Sequence, residues 1–158
     1  MVIAAGLLVA VALQAAPSQV RFYCEVPLRR GTVDREPWRL TITLDVAGPR
    51  IASVLFDGPP MFSSYRPIRV RHGAENEAAA AAPELLPRNA QWRGAFQGHA
   101  IRLRREGTDL VLEPAAASPG VYSGFWTYVQ MVEYHRVETN GSIRCRIIAG
   151  TLSESAQS

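Results

Sequence analysis

Residues that could bind a metal are few and scattered in this chain. The three histidines, His72, His99 and His135, stand far apart, and no HxH, HExxH or CxxC spacing occurs. A protein metal site needs several His, Cys or carboxylate ligands brought together, often at short spacing. The sequence therefore predicts neither a metal site nor a cofactor.

Candidates for catalysis are equally scarce. Ser123 lies in GVYSG (120–124), which lacks the G-x-S-x-G order of a nucleophile elbow, and no glycine-rich phosphate loop precedes a helix. Glu133 and His135 could act as an acid–base pair only if their strand turned both side chains inward. We therefore expect a protein that is not an enzyme, and catalysis by Glu133 and His135 is the least favoured hypothesis.

The two cysteines, Cys24 and Cys145, lie near opposite ends of the chain, each flanked by apolar residues at alternate positions. In an oxidising compartment such a pair is expected to form a disulfide, and the alternative is two buried free thiols. A disulfide needs Cα atoms about 5.5 Å apart, close to the spacing of neighbouring strands. The bridge predicts that the first and last strands lie side by side.

An apolar leader precedes the first cysteine. The run MVIAAGLLVAVAL is uninterrupted over thirteen residues, and no Lys or Arg comes before it. A membrane-spanning helix needs about 20 residues, so the run fits the apolar part of a secretory signal, with cleavage after Ala15 or Ala16. We predict a signal peptide at 1–16, a periplasmic or secreted protein, and no transmembrane anchor in the mature chain.

Alternation with a period of two dominates the rest of the sequence. In 20–28 and 38–46, apolar side chains alternate with polar ones, which is typical of strands with one buried and one solvated face. The alanine-rich segment 74–87 is interrupted by prolines and is expected to be a connecting loop. We predict one domain over 17–152, followed by a flexible tail at 153–158.

Turn residues predict how neighbouring strands pair. A tight turn between Phe96 and His99 would form one hairpin. A turn at 106–107 would form a second hairpin, with Arg104 opposite Asp109. In this register opposite charges face each other and apolar side chains also face each other, so both pairings support it.

The register of the last hairpin stays open in the sequence. A long strand, or a pair of strands, is expected over 121–137, followed by a turn at Asn140-Gly141. A two-residue turn would place Arg136 opposite Cys145, whereas a bulged turn would place His135 there.

About eight antiparallel strands joined by short turns predict an all-β fold. A disulfide between the first and last strands favours a small up-and-down barrel, because barrel closure makes those strands neighbours. Facing sheets lie roughly 10 Å apart and are also bridged by disulfides in some proteins, so a β-sandwich is the alternative.

Aromatic residues concentrate in GVYSGFWTYVQMVEYH (120–135), where both strand phases are apolar and Gly124 suits a bulge. Such rings either fill the barrel as its core or line a ligand cavity. Tyr and Trp carry polar groups that suit the mouth of a pocket. The candidate ligand-binding residues are Trp92, Phe96, Tyr122, Trp126 and Tyr128.

All seventeen basic residues are arginine. Three Arg-x-Arg pairs should point outward from strands, because each brackets an apolar residue or a cysteine. They form a candidate face for an anionic partner, and the alternative is an ordinary solvated face. A net charge of +3 gives no indication of nucleic-acid binding. The six arginines are Arg69, Arg71, Arg102, Arg104, Arg144 and Arg146.

Taken together, these features predict an exported β-barrel that binds an apolar or amphipathic small molecule without catalysis. The alternative is an envelope protein–protein interaction or inhibitor module that uses loops or the arginine face. Small secreted barrels with one disulfide include bacterial inhibitors of lysozyme, and Tyr23-Cys24 early in a strand is similar to their start. That similarity covers only a few residues, so no function or residue role is transferred from it.

Overall fold

A computed structural model describes residues 16–30, 33–66 and 83–153 of the chain. The predicted signal peptide up to residue 15, most of the alanine-rich loop, the end of the tail and the Arg69/Arg71 pair lie outside these residues.

Eight antiparallel strands form one sheet, as the alternation predicts. Apart from a single turn of 3-10 helix at Arg88–Ala90, the described residues contain no helix. The strands are β1 (Ser18–Arg30), β2 (Val33–Ala47), β3 (Arg50–Asp57), β4 (Arg93–Gln97), β5 (Ala100–Arg105), β6 (Thr108–Pro114), β7 (Val121–Val132) and β8 (His135–Ala149).

The sheet is a nearly closed up-and-down barrel. Its order is β3-β2-β1-β8-β7-β6-β5-β4, so each strand pairs with a neighbour in sequence and the first strand also pairs with the last. The two edge strands, β3 and β4, contact each other without a hydrogen-bonded ladder. Side chains close this seam, where a Cβ added to Gly94 would lie 2.9 Å from Ile51 Cγ2. The barrel prediction is confirmed over the sandwich.

The predicted disulfide joins the first and last strands. Cys24 is paired with Cys145 in the ladder between β1 and β8, their Cα atoms lie 4.0 Å apart, and both side chains are buried. Apolar side chains on the inner phase of each strand pack around this bridge, since that phase is the one closed off from solvent.

A loop after β3 caps one end of the barrel. Its Phe62 side chain is fully buried, stacks on Phe56 and meets the Trp126 ring edge-on at 5.4 Å between centroids. The Ser64 hydroxyl accepts a hydrogen bond from the Phe56 amide at 2.9 Å, which ties the loop to the end of β3. The cap therefore fills this end of the interior with an aromatic side chain.

Arg105, at the end of β5, also holds this loop. Its guanidinium donates hydrogen bonds to the Ser63 carbonyl at 2.7 Å and to the Met61 carbonyl. It also lies over the Trp92 ring at 5.1 Å from the centroid. Burial lowers the pKa of the Arg105 guanidinium, and the two carbonyls compensate its charge.

Two predicted pairings in the middle of the chain have different outcomes. The turn at 106–107 is confirmed, with Arg104 opposite Asp109. The pairing of Phe96 with His99 is wrong, because the turn is Gly98-His99 and Phe96 faces Ile101. Gly98 has a positive φ of 60°, the conformation that the first central position of a two-residue hairpin turn requires.

The predicted turn at Asn140-Gly141 is also wrong. The turn lies at Glu133-Tyr134, and the ladder between β7 and β8 places Tyr122 opposite Cys145, so neither predicted register forms. Gly141 lies inside β8, where a Cβ would lie 2.8 Å from Nε1 of Trp126. The glycine is required by the ring packed against it, not by a turn.

Candidate interaction face on β6, β7 and β8

The aromatic residues predicted to line a cavity lie in or beside the core. Trp92, Tyr122 and Trp126 are buried, whereas Phe96 and Tyr128 are half-buried at its margin. Phe62 connects two of the predicted residues: it accepts a hydrogen bond at its carbonyl from the Trp92 indole at 2.8 Å and contacts the Trp126 ring.

The three buried side chains each contact the ring of another aromatic residue. Trp92 stacks on Phe56 with 4.1 Å between centroids, and Tyr122 meets Phe22 edge-on at 5.3 Å. Such pairs are typical of a packed interior. Ligand binding by these residues stays a prediction.

Two buried polar groups lack a hydrogen-bond partner within the described part of the chain. They are the Trp126 indole Nε1 and the Thr108 hydroxyl. Thr108 lies in β6 and Trp126 in the adjacent β7. The two are not direct partners: Leu110 is opposite Trp126, and Thr108 is opposite Tyr128. An unpaired buried polar group costs about 1–3 kcal/mol, so a small polar partner at either group would be stabilising.

An apolar strip runs along the outside of β7. The outward-facing Phe125 is 71% exposed and Met131 is 68% exposed, with the half-buried Val129 between them. Val111 of β6 lies directly opposite Phe125 and extends the apolar surface sideways. We call these four residues the outer strip.

The outer strip borders a groove of about 1170 Å³ that crosses β6, β7 and β8. Phe125, Val129 and Val111 contribute apolar lining, and charged residues of both signs, among them Arg144 and Glu113, line the groove as well. Apolar side chains bordered by charged ones are found in protein interfaces. The groove is therefore the strongest candidate site among the described residues.

Arg144 brings a positive charge to the groove. It lies opposite Ser123 of β7 and Glu25 of β1, and no ion pair or hydrogen bond engages its side chain in the part of the chain that the structure describes. The Glu25 carboxylate instead accepts a hydrogen bond from the Tyr23 hydroxyl at 3.1 Å. Arg144 can therefore bind an external carboxylate.

The arginines of β5 are already paired. Arg102 makes two hydrogen bonds to the Asp109 carboxylate, and Arg104 lies 3.6 Å from the same group. The Arg102 hydrogen bonds hold the pKa of Asp109 below its ordinary value, and they raise the pKa of Arg102. Arg102 and Arg104 are therefore already engaged with a carboxylate inside the molecule, whereas no ion pair engages Arg144 among the described residues.

Two of the three predicted arginine pairs flank the outer strip, and the third lies outside the described residues. In sheet order, β6 and β7 separate Arg102 and Arg104 from Arg144 and Arg146. Arg146 lies over the Tyr23 ring at 5.3 Å from its centroid. Binding of an anionic partner by these residues stays a prediction.

Glu133 and His135 lie at the tip of the hairpin that joins β7 to β8, and both are exposed. The inward-facing acid–base pair that a bulged register would produce is not formed. The described residues also contain no group of three or more His, Cys, Asp and Glu side chains that could hold a metal ion.

The outer strip is the feature that sequence reasoning missed. Its signal was the apolar character of both phases of β7, since Phe125, Val129 and Met131 alternate with the inward-facing Tyr122 and Trp126. The pattern suits a bulge at Gly124, but both ladders of β7 run through Gly124 without a register shift, and the outer phase is exposed.

Comparison with known proteins finds no matching family model, curated protein or solved structure. No helix among the described residues is both long and apolar enough to cross a membrane.

Proposed function

We propose that this protein is a non-enzymatic module that binds another protein through the groove on β6, β7 and β8. The observation that carries the proposal is Phe125, a phenylalanine that is 71% exposed and lines a groove of about 1170 Å³. Contiguous apolar side chains on a folded surface, bordered by polar groups, are typical of interaction sites.

The outer strip would supply most of the binding free energy. Burying a Phe, Met or Val side chain contributes about 1.5–3 kcal/mol, and aromatic side chains at the centre of an interface dominate binding. Phe125 is held on a regular strand between β6 and β8, so little ordering is needed when a partner binds.

Arg144 would orient the bound partner and select partners that carry a carboxylate. A guanidinium without an intramolecular partner binds a carboxylate in a fork, and this contact strengthens when the apolar centre excludes water. We infer that the partner offers an apolar patch beside an Asp or Glu.

The proposed setting is the cell envelope or the extracellular space. The buried disulfide between Cys24 and Cys145 suggests an oxidising compartment, where such bonds form and persist. The apolar leader in the sequence supports export.

Photo-cross-linking tests the proposal. The full-length chain carries p-benzoylphenylalanine in place of Thr127, which lies on the outer phase between Phe125 and Val129, and is irradiated in an extract of the cells that produce it. The matched control places the same group at Thr43, an equally half-buried threonine on the outer phase of β2. We expect a single protein adduct from position 127 and none from position 43.

A second substitution makes the cross-linking result specific. Phe125→Asp should lower the adduct yield about tenfold, because it removes the central apolar contact. Equal adduct yields from positions 127 and 43, or a yield that Phe125→Asp does not change, would contradict the proposal.

A small-molecule site in the interior is the second candidate function. The observation that favours it is the unpartnered indole of Trp126, which is only 5% exposed and would donate to an interior acceptor. An environment-sensitive hydrophobic dye should then bind saturably, and Trp126→Phe, which removes only the donor-bearing ring, should weaken binding about tenfold. Absence of saturable binding to the native protein would count against it.

A further inference from the structure

The hairpin that joins β7 to β8 projects beyond the barrel. Pairing between β6 and β7 ends at Thr108 and Tyr128, and pairing between β1 and β8 ends at Glu25 and Arg144. The Val129 amide still donates a hydrogen bond to the Gly107 carbonyl at 2.7 Å, and residues 130–132 of β7 then pair only with β8 among the described residues. A two-stranded ribbon without a sheet on either side is marginal in water unless something covers it.

The tip of this hairpin is unusually apolar for an exposed ribbon. Tyr134 is 98% exposed and Met131 is 68% exposed, while Val132 and Val137 are 43% and 38% exposed. Met131 lies on the outer phase and the two valines on the inner phase, so each face of the tip carries exposed apolar side chains beside polar ones. A projecting element with exposed apolar side chains on both faces is suited to insertion into a cleft.

The turn at the tip has a backbone conformation that its residues rarely adopt. Glu133 and Tyr134 have φ values of 47° and 68°. A two-residue hairpin turn with both central residues at positive φ favours Asn-Gly or Asp-Gly, because other side chains collide with the backbone in this region. Strain of this kind persists where a function needs the side chain, and here it presents Tyr134 to solvent.

We propose that the tip, residues 131–137, is a wedge that inserts Tyr134 into an apolar cleft of the protein partner. This inference rests on the proposed function, since Met131 belongs to both the outer strip and the tip. A protein cleft is favoured over an anionic membrane because Arg136 is paired with Glu138 at 3.5 Å, and Glu133 adds a further negative charge.

The double substitution Glu133→Asn with Tyr134→Gly tests the wedge without endangering the fold. Asn-Gly suits the positive φ values, so the thermal midpoint should not fall. With p-benzoylphenylalanine at position 127 as the reporter, the adduct yield should fall about tenfold. Tyr134→Phe is the matched control and should retain the yield within about twofold, because it keeps the ring.

The outcomes separate the wedge from the proposed function. If position 127 gives its adduct undiminished in the Asn-Gly variant, the wedge is overturned and the groove stands. If position 127 gives no adduct in any variant, both are overturned. Sedimentation with equimolar phosphatidylglycerol and phosphatidylcholine vesicles is the second measurement, and binding that depends on Tyr134 there would replace the protein cleft with a membrane.

Discussion

Trp126 and Gly141 face each other across β7 and β8, and the indole occupies the space that a side chain at position 141 would need. Gly141→Ala would place a Cβ 2.8 Å from the indole nitrogen. We expect a loss of about 1–3 kcal/mol in the free energy of unfolding, because the ring is locked among buried neighbours. Urea titration measures it, with Ser142→Ala, an exposed neighbour in β8, as the control.

The disulfide between Cys24 and Cys145 closes almost the whole folded chain, with a sequence separation of 121 residues between the two cysteines. Replacing both cysteines by alanine should lower the free energy of unfolding by about 4–5 kcal/mol through the added entropy of the unfolded chain. The measurement is urea unfolding of both proteins, each monitored by tryptophan fluorescence. A loss below about 1 kcal/mol would contradict the entropic account.

Phe62 should be one of the side chains whose removal destabilises the barrel most. Its ring is fully buried against Phe56 and Trp126, so Phe62→Ala should cost about 3–5 kcal/mol. The matched control is Phe125→Thr, which removes an exposed ring and places a β-branched residue, suited to a strand, in its position. It should cost less than about 1 kcal/mol. Chemical denaturation compares the two, and similar losses would show that Phe62 does not cap the core.

Asp109 should make stability depend on pH in the acid range. Arg102 holds the folded-state pKa of Asp109 below its ordinary value of 3.8, so the stabilisation is present above that value and is lost as pH falls through the lower folded pKa. Asp109→Asn should therefore destabilise the protein at pH 7, and the difference from wild type should shrink below about pH 4. The urea midpoints of both proteins, measured at pH 7 and below about pH 4, give the difference at each pH.

Glu113→Gln is the control for that experiment, because it removes a carboxylate from the same strand without touching the ion-pair cluster around Asp109. A difference between wild type and Asp109→Asn that is the same at both pH values would show that the carboxylate acts by packing and not by charge.

The order of elements could be read from the sequence with good accuracy. The alternation of apolar and polar residues predicted the strands. The expected disulfide between Cys24 and Cys145 predicted that β1 and β8 are neighbours, and the opposite charges of Arg104 and Asp109 predicted one hairpin register. These features depend on the local period of the chain or on one covalent bond. They require no knowledge of distant packing.

The last hairpin turn was predicted wrongly because a glycine can serve either in a turn or beneath a packed ring. A glycine after an asparagine suits a hairpin turn, yet Gly141 serves as the flat surface beneath Trp126. Glu133-Tyr134 carries no turn signal, yet the chain reverses there. Local propensity cannot distinguish these uses, because the deciding contact comes from another strand.

The sequence alone determined the all-β class, the paired cysteines and the division of most strands into apolar and polar faces, since each follows from the two-residue period and from bond geometry. Only the tertiary structure decided which apolar face would be buried. Both faces of β7 are apolar, but the barrel closes over Tyr122 and Trp126 and leaves Phe125 outside. A closed sheet has one interior, and the register with β6 and β8 selects the phase that enters it.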